Sequence, residues 1–83
     1  MGYDNAAFGH RLMVCRNNRG MSQDALAVKS GVSKDNIARY ELGTVKPGLD
    51  KAYALAVALD VTLDELVGFA PIIIDGNPGN SVA

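Results

Sequence analysis

The sequence predicts an all-α fold. Three observations carry that prediction: apolar residues recur at helical spacing through most of the chain, Ser or Thr stands where several of these stretches start, and glycine stands where most of them end. The closing glycines are Gly20, Gly31, Gly43 and Gly68, each placed where a helix would finish on a left-handed residue. With the break at Lys46-Pro47-Gly48 and the start signal at Thr62, they divide the chain into five helices.

The first helix is expected from Asn5 or Ala6 to Asn18, with Phe8, Leu12 and Cys15 on one stripe and Arg11, Arg16 and Arg19 around it. The second starts at Ser22, a good N-cap followed by Asp24 in the first turn, and ends near Ser30. The third starts at Ser33 and runs to Leu42. The fourth is LDKAYALAVALD, so rich in Ala and apolar residues that substantial burial is expected. In the fifth, TLDELVG, Thr62 and Glu65 have capping-box spacing and Leu63 and Leu66 supply its apolar contacts.

With 83 residues, 48% of them hydrophobic and 20% charged, the chain is expected to form one globular domain over residues 1–70. An apolar and then flexible tail is expected over 71–83, because Pro71 forbids continuation of the last helix. Cys15 is the lone cysteine and His10 the lone histidine, so no internal disulfide and no closed zinc site are expected, and no metal or cofactor is implied. His10 reads as a partly exposed helix residue and Cys15 as a small buried hydrophobe. No apolar run approaches the roughly 18 residues of a membrane span, and Ala6 stands where N-myristoylation wants Ser or Thr. A cytoplasmic location without membrane attachment is the expectation. No acid–base or nucleophile constellation is present, so no enzyme is predicted.

Charge is unevenly spread. The net charge of -1 looks wrong for a polyanion-binding protein, but residues 1–48 hold seven Lys or Arg against four Asp or Glu, whereas residues 49–83 hold one against five. The front is basic and the rear acidic.

The most informative segment is QDALAVKSGVSKDNIARYEL, Gln23 to Leu42, where two short helices joined by so brief a turn must cross steeply. Ala27 is small at the expected point of closest approach, Gly31 serves the turn, and Leu26, Val32, Ile37 and Tyr40 have the spacing to fill the angle. With the flanking strings FGHRL, Arg16, GMSQDALA, SGVS, IARYELG and LAVALDVTLDELVG, the chain resembles the lambdoid phage-repressor, or Xre and Cro-like, helix-turn-helix family over residues 6–68. That resemblance implies a compact five-helix lambda-repressor-like domain with its helix-turn-helix at helices 2 and 3, the third helix in the major groove of double-stranded DNA, and a role as a transcriptional regulator, most naturally a repressor. It also implies a salt bridge between Arg16 and Glu41 and a phosphate contact by Gln23.

With Ile37 turned inward and about 100° per residue, Asp35, Ala38, Arg39 and Leu42 face outward, flanked by Lys34 and Asn36. Lys34, Asp35, Asn36, Ala38 and Arg39 are therefore the candidate base-reading residues: Arg39 for guanine, Asn36 for adenine or phosphate, Asp35 for cytosine, and Ala38 for a thymine methyl. Lys34 in a first turn opposes the helix dipole, which calls for a compensating anion such as DNA; the alternative is a solvated surface lysine. Ser22, Gln23, Thr44 and Lys46 are candidate phosphate contacts.

Tyr53 and Val57 form an apolar i, i+4 pair, and Phe69, Ile72, Ile73 and Ile74 make the tail apolar. Either the pair covers the tail within one chain, or these six residues build a homodimer that spaces two recognition helices one DNA turn apart. The rival class is a protein-interaction module on the same scaffold, such as an antitoxin subunit with a toxin partner, suggested by the acidic rear and the apolar tail.

Overall fold

The computed structural model describes residues 4–68, which form five helices: α1 (Asn5–Asn18), α2 (Gln23–Ser30), α3 (Lys34–Leu42), α4 (Leu49–Leu59) and α5 (Leu63–Val67). Local chemistry sets the starts. The Asp4 carboxylate accepts from the Ala6 N–H at 3.1 Å, Ser22 Oγ from the Ala25 N–H at 3.0 Å, and Ser33 Oγ from the Asn36 N–H at 3.2 Å. α5 carries a complete capping box: Thr62 Oγ1 accepts from the Glu65 N–H at 3.0 Å while Glu65 Oε1 accepts from the Thr62 N–H at 2.8 Å. A five-residue helix has little cooperativity of its own, so this reciprocal cap and the packing of Leu66 hold it.

All four closing glycines take positive φ, from 67° to 90°. α4 ends differently. The sequence reading carried this helix through Asp60, but it stops at Leu59 and Asp60 itself adopts the left-handed conformation, with φ 58°. Asp tolerates this conformation better than most residues with a Cβ. Arg19 from α1 secures the turn, donating from Nε to the Leu59 carbonyl at 2.8 Å and from Nη2 to the Asp60 carbonyl at 3.0 Å. A cation at a helix C-terminus meets both orphan carbonyls and the negative end of the dipole.

Phe8, Leu12, Leu26, Ile37, Leu55, Leu59 and Leu66 are completely buried, so every helix contributes to one core. Each such side chain contributes about 1.5–3 kcal/mol by leaving water. α1 lies against α3 and α5, α2 against α3 and α4, and α4 against α5. Phe8 and Tyr40 meet edge to face, with ring centroids 6.3 Å apart, joining α1 to α3. Burial pushes the Tyr40 phenol up from its ordinary pKa, with a smaller push from the Asp50 charge, so the ring stays neutral. α4 is substantially buried, as its composition leads one to expect, on the face formed by Ala52, Leu55, Ala56, Ala58 and Leu59, while Leu49, Tyr53 and Val57 are exposed. Among the described residues no helix is long and apolar enough to cross a membrane.

Gly9 fixes the approach of α1 to α3. A Cβ built there would overlap the Tyr40 carbonyl oxygen and lie 2.7 Å from that of Glu41, both of them backbone atoms that cannot swing aside. In an open helix Gly→Ala gains roughly 1 kcal/mol. Here overpacking reverses the sign. Gly9→Ala is expected to cost about 2 kcal/mol or more, measured by urea unfolding; a gain in stability would show that the two helices separate freely.

Candidate nucleic-acid interface

α2 and α3 are joined by Gly31, Val32 and Ser33, and each of these residues has a mechanical task. Gly31, at φ 78° and ψ 4°, closes α2 and lets the chain reverse. Val32 is buried under the corner, and its N–H reaches Ser30 Oγ at 3.1 Å. Ser33 then caps α3. Leu26, Val32, Ile37 and Tyr40 fill the interhelical angle, with Ala27 half-buried beside them.

Because Ile37 and Tyr40 point into the core, α3 presents Asp35, Arg39 and Leu42 to solvent, with Ala38 half-buried between them and Lys34 and Asn36 at the start of the helix. Leu42 is 76% exposed on this face. Among the described residues no hydrogen bond or ion pair engages the Arg39 guanidinium. An exposed planar fork of this kind can donate two parallel hydrogen bonds to an external acceptor pair.

Lys34 differs from that expectation. The anion that offsets its unfavourable place in the first turn of α3 is the Asp24 carboxylate of α2, with Nζ 3.3 Å from each of its oxygens. Sequence reading assigned that task to DNA because a pair ten residues apart on two different helices has no local signature.

Arg16 and Glu41 form a bidentate pair: Nε donates to Oε2 at 2.7 Å and Nη2 to Oε1 at 3.0 Å. The side chains are only 13% and 8% exposed. The same guanidinium also donates from Nη1 to the Met21 carbonyl at 2.9 Å, fixing the chain just before the α2 cap. Its hydrogen bond to Glu41 raises the Arg16 pKa, so the charge persists at any working pH. Gln23 joins the cluster, donating from Nε2 to Glu41 Oε1 at 2.9 Å. A carboxylate only accepts, so the amide must turn its nitrogen toward Glu41, leaving the carbonyl and the second N–H for an outside partner. The amide is thus aimed, which the sequence did not reveal.

Of the other candidate contacts, Ser22 Oγ is the exposed N-cap of α2. Thr44 is exposed just beyond α3, with its hydroxyl donating to the Arg39 carbonyl at 3.2 Å, and Lys46 is exposed two residues later. Tyr53 and Val57 stand outside on α4, 61% and 60% exposed, with Leu49 one turn before them. Phe69, Ile72, Ile73 and Ile74 lie outside the described residues. His10 is exposed, and Cys15 is buried with its thiol pKa pushed up, chiefly by burial, which keeps it protonated and unreactive. Among the described residues no three His, Cys, Asp or Glu side chains come together in a way that could hold a metal ion.

The basic front half is also narrowed. Arg11 donates from Nε to the Glu65 carbonyl at 2.6 Å, Arg16 binds Glu41, and Arg19 binds the end of α4, so the two arginines of α1 and the one at its C-cap hold the domain together. The other cations of the front half, Lys29, Lys34, Arg39 and Lys46, are exposed on α2, α3 and the loop that follows.

Comparison with known proteins agrees with this architecture. A helix-turn-helix family profile matches residues 12–66. The SPbeta prophage-derived uncharacterized HTH-type transcriptional regulator YonR of Bacillus subtilis is 35% identical over 60 residues, which are 72% of this chain and 56% of that protein. The chain spans about half the length of this curated relative. Among solved structures, the restriction-modification controller protein C.AhdI from Aeromonas hydrophila superposes with a TM-score of 0.74 at 36% identity, over 76% of this chain and 96% of that one. The P22 c2 repressor, solved in complex with a synthetic operator, gives 0.68 at 30% identity, over 72% and 91%.

Removing the carboxylate at the centre of the cluster would leave a largely buried guanidinium unpaired and the Gln23 amide unguided. Glu41→Ala is expected to lower stability by about 3 kcal/mol, as when one partner of a buried pair is lost. Chemical denaturation checks this, and a loss below about 1 kcal/mol would show that the pair is not structural.

Proposed function

Since the chain belongs to the helix-turn-helix family, we propose that it binds double-stranded DNA in a sequence-specific manner as a transcriptional regulator, with α3 in the major groove. The observation that carries this reading is the outer face of α3: Asp35, Arg39 and Leu42 project from a rigidly seated helix, and the Arg39 fork has no partner within the described residues. Arg39 takes a guanine edge through two N–H donors. Asp35 and Asn36 read hydrogen-bonding groups of neighbouring bases, and Ala38 and Leu42 touch thymine methyls.

The backbone contacts come from Ser22, Gln23, Thr44 and Lys46. Gln23, turned by Glu41 at the first position of α2, offers its free N–H to a phosphate beside the helix N-terminus, where the dipole favours an anion. Thr44 and Lys46 reach the backbone beyond the other end of α3. Contacts of this kind set register, and base contacts set preference. The P22 c2 repressor, to which the chain is similar, was solved with an operator, which supports this docking and a repressor role. The comparisons do not favour the protein-interaction module.

With Arg11, Arg16 and Arg19 engaged in bonds that hold the fold, one domain has few cations for phosphates, so tight binding calls for two copies. The exposed stripe of Leu49, Tyr53 and Val57 on α4 supports a homodimer, which would place two α3 helices about 34 Å apart on a palindromic site. Sedimentation across micromolar to millimolar concentration is expected to show the dimer; monomer throughout would refute it.

Selection of bound duplexes from a random pool tests the reading as a whole and yields the preferred site. On that site Arg39→Ala is expected to cost about 1–3 kcal/mol and relax preference at one base pair. Lys46→Ala is expected to weaken all duplexes alike and flatten the salt dependence by about one phosphate. Equal effects of the two substitutions on every sequence would overturn the division between reading and anchoring residues.

A further inference from the structure

Asp24 and Lys34 both stand in first turns, one favoured by its helix dipole and the other opposed by it. The Lys34 ammonium lies 3.3 Å from Oδ1 and 3.3 Å from Oδ2 of Asp24, so it straddles the carboxylate. The side chains are 54% and 73% exposed, which puts the pair on the outer surface of the α2–α3 unit rather than in its core. Beyond offsetting the α3 dipole, the pair is not what starts or seats either helix. The α2 cap is Ser22, the α3 cap is Ser33, and the link from α3 to the rest of the domain is Glu41.

An ammonium has three N–H donors, and with one hydrogen-bonded to Asp24 Oδ2 and Oδ1 within ion-pair reach, at least one remains. The pair as a whole is neutral, so it displaces no counterion on meeting a phosphate, whereas a lone lysine would. The remaining N–H can still donate to an uncharged acceptor such as guanine O6 or N7. A free lysine at this place would strengthen binding to every duplex, and the ratio of matched to unmatched affinity would fall. The Asp24 carboxylate adds a repulsion toward phosphate that all duplexes share and that only a well-matched base edge offsets.

We propose that Asp24 is a specificity-determining residue: it withholds Lys34 from the phosphate backbone and leaves it as a hydrogen-bond donor for a base edge. This role rests on the reading that α3 docks in duplex DNA.

The test compares the wild-type chain, Asp24→Asn, Lys34→Ala and the double variant on random-sequence duplex and on the selected duplex, each across a range of salt. Asp24→Asn keeps the shape and removes the charge. It is expected to bind random duplex several-fold more tightly at low salt, with a salt slope steeper by about 0.9, the signature of one further phosphate contact. The ratio of selected to random affinity is expected to fall. In the Lys34→Ala background, Asp24→Asn is expected to leave the slope unchanged, because the cation it would release is absent. An unchanged slope in the single variant, or equal steepening without Lys34, overturns the role of Asp24. A wild-type chain that binds no duplex overturns the DNA reading itself and with it the role of Asp24; wild-type binding with an unaltered Asp24→Asn overturns only the latter.

Discussion

The Glu41 carboxylate is the constraint on which the rest of the molecule depends. It takes the fork of Arg16 from α1 and the amide of Gln23 from α2 while standing near the end of α3, so one group ties three helices. Side chains in this cluster are largely out of water, where an ion pair must be completed by further hydrogen bonds to be tolerated. Met21 supplies one of these through its carbonyl, and that contact carries the cluster into the turn before α2. The orientation of the outer face of α3 is thus set from behind, by groups that never reach it.

Around that node α1 acts as the frame. Its stripe of Phe8, Leu12 and Cys15 fills the core, its Gly9 allows near contact with the α3 backbone, and its two arginines, with Arg19 at its C-cap, reach outward to bind other elements. Arg11 and Arg19 end on main-chain carbonyls at the termini of α5 and α4, two places where a helix leaves acceptors without intrahelical donors. Dipole, hydrogen bond and charge act together there. This also explains how an acidic chain keeps a basic first half without a correspondingly basic surface.

Much of this was legible in the sequence because it is local. Ser22, Ser33 and the Thr62–Glu65 box act within three residues of themselves, and the helix starts they set can be read from neighbours. The end of α4 was missed by one residue because Asp60 does the work usually given to glycine, and its support comes from Arg19, forty-one residues away. Placement of Arg39 and Leu42 outside followed from the period once Ile37 was inside. The Arg16–Glu41 pair between helices was available only through the family resemblance, and two others could not be read: Lys34 with Asp24 and Gln23 with Glu41 depend on crossing geometry that spacing does not encode. The demand of Gly9 for close approach was equally hidden, since a glycine in a helix looks like a mere weakness until the facing backbone is in place.

On the outer face of α3, Asp35, Ala38, Arg39 and Leu42 lend no side-chain hydrogen bond or ion pair to the rest of the described residues. Seating the helix in the core falls to Ile37, Tyr40 and Glu41 on its other side. The two sets of positions therefore evolve under separate demands. If the outward residues read DNA as proposed, they can be exchanged for others, and the preference with them, while the scaffold that seats the helix stays as it is.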